Sequence, residues 1–216
     1  MIVGERKPLK EVLELLSPHR KVLVVGCGAC VTVCLAGGER EARELALLLR
    51  LKGFETEATS VERQCEREFL VPLRESIRTF SAVLSLACGV GVQVVSDTVP
   101  EVPVFPGLNT SFMGAPLAVG VFEERCIGCG ECIVHRFGNI CPVARCAKSL
   151  LNGPCGGSRG GKCEVRPERD CAWQLIYERM RALGRVEELF AIQPPKNWAP
   201  SRFGAQRRVV REDVRQ

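Results

Sequence analysis

The run Lys21-Val22-Leu23-Val24-Val25-Gly26 constrains the fold more than any other segment. Its apolar residues do not alternate with polar ones, so both faces of an extended strand here must be covered. A short valine-rich run of that kind belongs in a parallel sheet packed between helices. The flanking pattern agrees. Residues 8–17 carry Leu9, Val12, Leu13, Leu15 and Leu16 on a helical stripe behind Pro8. Residues 39–52 gather Ala42, Leu45, Ala46, Leu48 and Leu49 on one side, Arg and Glu on the other, with Gly53 placed as a helix C′ residue. A weakly alternating strand is expected over 54–61. A helix over 66–78 would bury Phe69, Leu70, Leu73 and Ile77. A third strand follows at 80–87, a further helix at 89–96 and a short fourth strand at 102–105. Strand and helix alternate three times, which predicts an α/β fold over residues 1–120: a doubly wound parallel sheet of Rossmann or flavodoxin type.

Cysteine sets the rest of the reading. The chain has 13 cysteines and two histidines in 216 residues. Hydrophobic residues make up 46% and charged residues 25%, values that exclude a wholly disordered chain. Two stretches lack formal charge, Arg78 to Asp97 and Glu101 to Glu123. The first holds several serines and a glutamine, and the second is broken by Pro103, Pro106, Pro116 and Gly107. Both read as buried core and not as membrane spans. The N-terminus lacks the apolar core of a signal peptide, which predicts the reducing cytoplasm. There, clustered cysteines hold metal or do redox chemistry more often than they form disulfides. The net charge of +5 comes from bases interleaved with acids, so a nucleic-acid partner is not expected.

Five cysteines fall in the α/β part. Cys27, Cys30 and Cys34 follow the first of the expected strands, Cys65 the second and Cys88 the third. In an open parallel sheet the carboxyl ends of all strands meet at one edge, where ligands bind. The topology therefore draws these five thiols together, and four of them make a metal site, iron–sulfur or zinc. The loop Gly26-Cys27-Gly28-Ala29-Cys30 lacks the spacing of a dinucleotide-binding glycine motif.

From Cys126 the character changes, with eight cysteines in residues 126–171. Cys126-Ile-Gly-Cys129-Gly-Glu-Cys132 is C-x2-C-x2-C, followed by Cys141-Pro142: the bacterial ferredoxin ligand run with a longer last spacer. Residues 121–193 are accordingly expected to be a cysteine-rich, ferredoxin-like cluster-binding domain. In two-cluster ferredoxins the Cys-Pro residue serves the other cluster, and Cys146, Cys155, Cys163 and Cys171 are available to complete both. Zinc competes, because four thiolates bind either metal. A helix is expected over 170–183. His19 and His135 read as structural, and no nucleophile elbow, Walker loop or paired carboxylates occur. The arrangement is equipped to move electrons and not to transform a substrate. Residues 194–216 form an extended tail in which Trp198, Arg202, Arg207, Arg208 and Arg211 make a candidate docking arm.

Several motifs together carry a resemblance. They are Val25-Gly-Cys-Gly-Ala-Cys-Val-Thr-Val-Cys34, Pro106-Gly-Leu-Asn109, the Cys126–Cys132 triplet, Ile140-Cys-Pro142 and Leu150-Leu-Asn-Gly-Pro-Cys-Gly-Gly157, with Cys163-Glu-Val and Asp170-Cys-Ala-Trp173 behind them. The chain resembles the MetV-type accessory subunit of methylenetetrahydrofolate reductase, also found as a C-terminal cysteine-rich domain of such reductases. The resemblance covers Lys7 to about Trp198. It implies a non-catalytic electron-transfer subunit beside a flavin-containing reductase of the acetyl-CoA (Wood–Ljungdahl) pathway of anaerobes. FAD or FMN would sit in the partner only, and further electron-carrier subunits are compatible with it. The expected inventory is two [4Fe-4S] clusters on Cys126, Cys129, Cys132, Cys141, Cys146, Cys155, Cys163 and Cys171, and a third cluster or zinc on four of Cys27, Cys30, Cys34, Cys65 and Cys88. The alternative is a zinc-holding structural subunit without redox turnover.

Overall fold

The computed structural model describes residues 1–202 and 206–214. The chain divides into two compact units, Met1–Glu123 and Glu124–Gln216.

The first unit is built on a four-stranded parallel sheet of order β3-β2-β4-β5. Its strands are β2 (Lys21–Cys27), β3 (Glu55–Val61), β4 (Ala82–Ser85) and β5 (Val104–Pro106). Strand β1 (Ile2–Arg6) belongs to a second, three-stranded sheet of order β1-β6-β7, with β6 (Leu108–Ala118) and β7 (Val121–Cys126). The parallel order is that of a doubly wound sheet, with its switch point between β2 and β4. The unbroken valine run has the expected consequence: Val22 and Val24 face one core and Leu23 and Val25 the other. Val22, Val24 and Val25 are fully buried, each contributing about 1.5–3 kcal/mol relative to exposure.

The first face is covered by α1 (Leu9–Leu16) and α3 (Glu39–Leu51), which supply Val12, Leu16, Ala42, Ala46 and Leu49 to that core. A short turn, α2 (Cys30–Val33), adds Val31. Helix α3 ends in a Schellman motif, with Gly53 N–H bonded to the Arg50 carbonyl and Phe54 N–H to the Leu49 carbonyl. Gly53 takes φ +92°, which a residue with Cβ rarely adopts. The opposite face is covered by α4 (Arg74–Ile77) and α5 (Gly89–Thr98), with Leu70, Ile77, Val95 and Val99 packed on Leu23, Val25 and Val83.

Two expectations need correction here. The helix over 66–78 is two 3-10 turns, Arg67–Phe69 and Val71–Leu73, running into the single turn of α4. Pro72 is the cause, since it offers no N–H and disfavours helical geometry at Val71. Leu70 and Ile77 are still buried. The charge-free stretch from 101 to 123 is not core throughout. Leu117, Val119 and Val121 are exposed on the β6–β7 hairpin, and only the start of β6 is buried, where Leu108 and Val3 of β1 meet the core.

The second unit contains little regular structure: α6 (Pro142–Arg145), α7 (Ala172–Ala182) and two 3-10 turns, Val134–Phe137 and Val186–Phe190. Isolated bridges join Arg159 with Lys162 and Lys162 with Asp170. Among the described residues it holds no ferredoxin-type sheet; the likeness is confined to ligand spacing. Its core is Phe137, Ile140, Cys171, Trp173, Ile176 and Met180, with Phe137 edge-on to Trp173 at 5.7 Å. No helix among the described residues is long and apolar enough to cross a membrane.

Candidate functional site

The carboxyl edge of the parallel sheet gathers thiols as the topology requires. Cys27 closes β2 and is buried, its N–H bonded to the Gly37 carbonyl. Cys88 is the N-cap of α5, just past β4, and Cys65 lies beyond the end of β3. Cys27 and Cys88 are near enough for their charge to be felt at Cys65. Burial raises the Cys65 thiol above its ordinary value, and the neighbouring thiolates push the same way. Cys34 turns elsewhere: it caps the end of α2, its thiol donates to the Ile2 carbonyl at 3.7 Å, and it packs against the α1/α3 core. Cys30 opens α2 and is half-buried.

Beneath this edge lies a residue that the sequence alone does not advertise. Gln64 is fully buried. Its amide donates to the Val25 carbonyl at 2.8 Å and accepts from the Ser85 hydroxyl at 2.6 Å. One side chain therefore ties β2 to β4 at the switch point and fixes the backbone that presents Cys65. Its only signal in the sequence is a glutamine beside a cysteine after a strand.

In the second unit, Cys126 closes β7 and the triplet loop follows. Gly128 adopts φ +63° and Gly130 φ +89°, so the loop wraps back on itself. The Gly128 N–H donates to Cys126 Sγ at 3.3 Å and the Cys129 thiol donates to the Glu131 carbonyl at 3.6 Å. Cys141 is the N-cap of α6 and accepts from the Ala144 N–H at 3.4 Å. Burial raises the Cys141 thiol, and the charges of Cys129 and Cys126 add to the rise. Cys141 thus lies near enough to feel the charges of Cys126 and Cys129. The eight-residue spacer between Cys132 and Cys141 forms a 3-10 turn and a left-handed pair, Gly138 and Asn139, that plunge Phe137 into the core. That anchor accounts for the departure from ferredoxin spacing.

The other four cysteines share one place. Cys146, Cys155, Cys163 and Cys171 line a single small cavity of about 20 Å³ under Trp173. Gly157 N–H donates to Cys155 Sγ at 3.4 Å, Cys171 caps α7, and the Trp173 indole donates to the Leu150 carbonyl at 3.1 Å. An ion pair between Lys148 and Glu164 flanks the cavity. Lys148 is held above its ordinary value first by Glu164, with the charges of Cys155 and Cys146 adding. Glu164 leans over Gly157, where a side chain would collide with its carboxylate. Asn152 exchanges two hydrogen bonds with the Gln193 backbone, at 2.7 and 3.1 Å. Of the Leu150–Gly157 motif, Cys155 lines this cavity while Asn152, Pro154 and Gly156 face solvent.

Among the described residues no group of three or more Cys, His, Asp or Glu side chains stands ready to hold a metal ion, so the gathering consists of shared walls and mutual charge. The donor chemistry nevertheless suits a soft metal or cluster. Every gathered ligand is a thiol, and three of them accept backbone N–H bonds, which stabilise thiolate and tune a bound metal. The histidines stand apart: His19 packs on Phe105 with ring centres 5.2 Å apart, and His135 sits in the 3-10 turn after the triplet.

The tail does not stand free. Arg207 bonds to the Gly128 and Pro200 carbonyls, Arg211 pairs with Asp213, and Lys196 lies over the Trp198 ring at 5.7 Å.

Residues 105–199 match the family model described as methylene-tetrahydrofolate reductase C terminal. That segment contains all eight cysteines of the second unit, and the match relates this part of the chain to methylenetetrahydrofolate reductases. No curated protein and no solved structure matches the chain.

Proposed function

We propose that the chain is an accessory subunit of a methylenetetrahydrofolate reductase, holding iron–sulfur clusters on its thiol groups and passing electrons to or from the flavin of the catalytic partner. The observation that carries this reading is the sorting of the second unit's eight cysteines. Cys126, Cys129 and Cys141 share one charge field beside Cys132, and Cys146, Cys155, Cys163 and Cys171 share one cavity. Both sets lie within the matched segment. Two sets of four thiolates are the ligand complement of two [4Fe-4S] clusters. In the first unit Cys27, Cys65 and Cys88, with Cys30 as the fourth ligand, would hold a third cluster or zinc.

The clusters would supply one-electron chemistry. The chain's own residues hold thiolates at fixed spacing, direct N–H groups at sulfur, and set the surrounding charge through Lys148 and Glu164. Those are the levers that tune a cluster's potential.

A zinc reading is favoured at one place. A cavity of about 20 Å³ among Cys146, Cys155, Cys163 and Cys171 matches a single ion more closely than a cubane, since a lone water already needs about 10–15 Å³. Zinc there would be structural, with four thiolates and no open position.

Anaerobic purification followed by iron, sulfide and zinc determination separates the readings. The relay predicts brown protein with eight or more irons per chain and visible absorbance that bleaches on reduction. Four irons with one zinc would assign the tight cavity to zinc and keep a relay through the triplet site. Colourless protein with stoichiometric zinc and no iron would end the relay reading.

A further inference from the structure

The C-terminal segment closes over the loop between Cys126 and Cys132. Lys196 Nζ donates to the Glu131 carbonyl at 2.5 Å and stands 3.7 Å from its carboxylate, with its side chain only 1% exposed. A covered ammonium of this kind persists only where it is paired and hydrogen-bonded. Arg207 Nη1 donates to the Gly128 carbonyl at 2.7 Å and to the Pro200 carbonyl at 3.1 Å. Pro200 itself lies on Gly130: a Cβ there would stand 2.4 Å from the Pro200 carbonyl oxygen. Ser201 beside it is buried. Of the four residues that separate the cysteines of the triplet, Gly128, Gly130 and Glu131 are therefore each held by the tail.

From this we infer that the tail is a built-in clamp for the Cys126–Cys132 loop, with Lys196 and Arg207 as its positioning residues. Gly128 is held at both ends. Its N–H points to Cys126 Sγ at 3.3 Å and its carbonyl to Arg207. The Glu131 carbonyl is bound to Lys196 and also accepts from the Cys129 thiol at 3.6 Å, so each tail cation holds a carbonyl of the loop that carries the thiols. The inference rests on the reading of this group as a metal site. It also gives the basic tail partners within its own chain.

The test uses the full-length, reduced, metal-free chain. Hydrogen exchange would be followed in the peptide covering 126–132, alongside zinc titration against a chromophoric chelator. Variants are Lys196→Met, which keeps the apolar stem, and Arg207→Gln, with Lys196→Arg and Arg207→Lys as conservative partners. Each lost charge-assisted hydrogen bond is expected to accelerate loop exchange roughly tenfold, with peptides covering 155–163 unchanged within about twofold. Zinc binding to one site per chain should weaken by a similar factor, and Arg207→Lys should recover most of both effects. Unchanged loop exchange in the double variant overturns the clamp. So does a uniform rise across the second unit, which would mean general loosening. Wild-type protein that shows the exchange contrast yet takes up no zinc or iron would leave the clamp standing and remove the metal reading beneath it.

Discussion

Replacing Gln64 with alanine probes how the first thiol group is held in place. The side chain is fully buried and makes two hydrogen bonds, to the Val25 carbonyl and from the Ser85 hydroxyl. Their loss is unequal. The Val25 carbonyl keeps the Leu86 N–H at 2.8 Å, so losing its second donor costs about 0.5–1 kcal/mol. The Ser85 hydroxyl loses its acceptor in a buried site, which costs about 1–3 kcal/mol. The truncation also leaves a void that cannot readily close, because Gly91 of α5 already approaches Gln64 so closely that a Cβ there would stand 3.0 Å from the Gln64 Cβ. A residual cavity of roughly 50 Å³ adds about 1 kcal/mol. The total is about 2.5–5 kcal/mol.

The assay must see the right unit. Both tryptophans and the single tyrosine, Trp173, Trp198 and Tyr177, lie in the second unit, so intrinsic fluorescence is blind to this change. Urea unfolding followed by far-UV ellipticity, with hydrogen exchange at Val25 and Leu86, reports on the sheet. A double-mutant cycle with Ser85→Ala isolates the shared bond, and a coupling of about 1 kcal/mol is expected. Gln64→Ala costing under about 1 kcal/mol, or additivity of the two variants within about 0.3 kcal/mol, would refute the bridge between β2 and β4.

Two further outcomes are expected. Cys34 is occupied by the Ile2 carbonyl and the α1/α3 core, so Cys34→Ser should keep the metal content of the first unit while Cys27→Ser and Cys65→Ser lose it. Loss in all three would place Cys34 among the ligands. The second outcome concerns pH. Cys141 and Cys65 are both held above the ordinary thiol value of 9.0. The folded state therefore binds these protons more tightly than the unfolded chain, and that contribution is full below about 9 and is lost as pH rises through the folded value. Metal-free protein should lose stability to urea between pH 8 and 10, and Cys141→Ala should flatten the slope. Zinc affinity should run the other way and rise with pH, because binding expels the same protons. A pH-independent urea midpoint for the metal-free chain would contradict the burial of Cys141.

The sheet was legible where hydrophobic pattern alone decides structure. The run from Lys21 to Gly26 dictated a two-faced strand, and the strand ends then placed Cys27, Cys65 and Cys88 at one edge. Pattern misled where a single residue overrode it. Pro72 splits a stripe of good helical period. The charge-free stretch before Glu123 is exposed because a hairpin needs no charge to face water. The division of the eight later cysteines was not legible at all. Spacing allowed Cys141 to serve either group; that it lies within reach of the charges of Cys126 and Cys129 emerges only from the fold, with Phe137 of the intervening spacer buried in the core. Gln64 and Lys196 escaped notice for the same reason, since their partners are backbone carbonyls distant in sequence, at Val25 and Glu131.

The two units differ in what holds them together, and this leads to a last prediction. The first has two cores on either side of a parallel sheet, with at least nine buried residues in each. The second relies on six buried residues, one helix of eleven residues and isolated bridges. A core of that size supplies only a few kcal/mol against the conformational entropy of the chain it must order, and small domains of this kind depend on metal or disulfides. All eight of its thiols are unpaired; on the proposed reading metal is the staple, and its binding free energy becomes folding free energy. Stripping metal from purified protein should therefore weaken the second unit alone while leaving it folded. The urea midpoint read by Trp173 emission should fall and amide exchange across 133–183 should rise roughly tenfold, while far-UV ellipticity from the first unit and exchange at Val24 and Val25 hold. A metal-free chain in which that midpoint is unchanged would show instead that Phe137, Ile176 and Met180 suffice, and that the cysteines of this unit act only on what they bind.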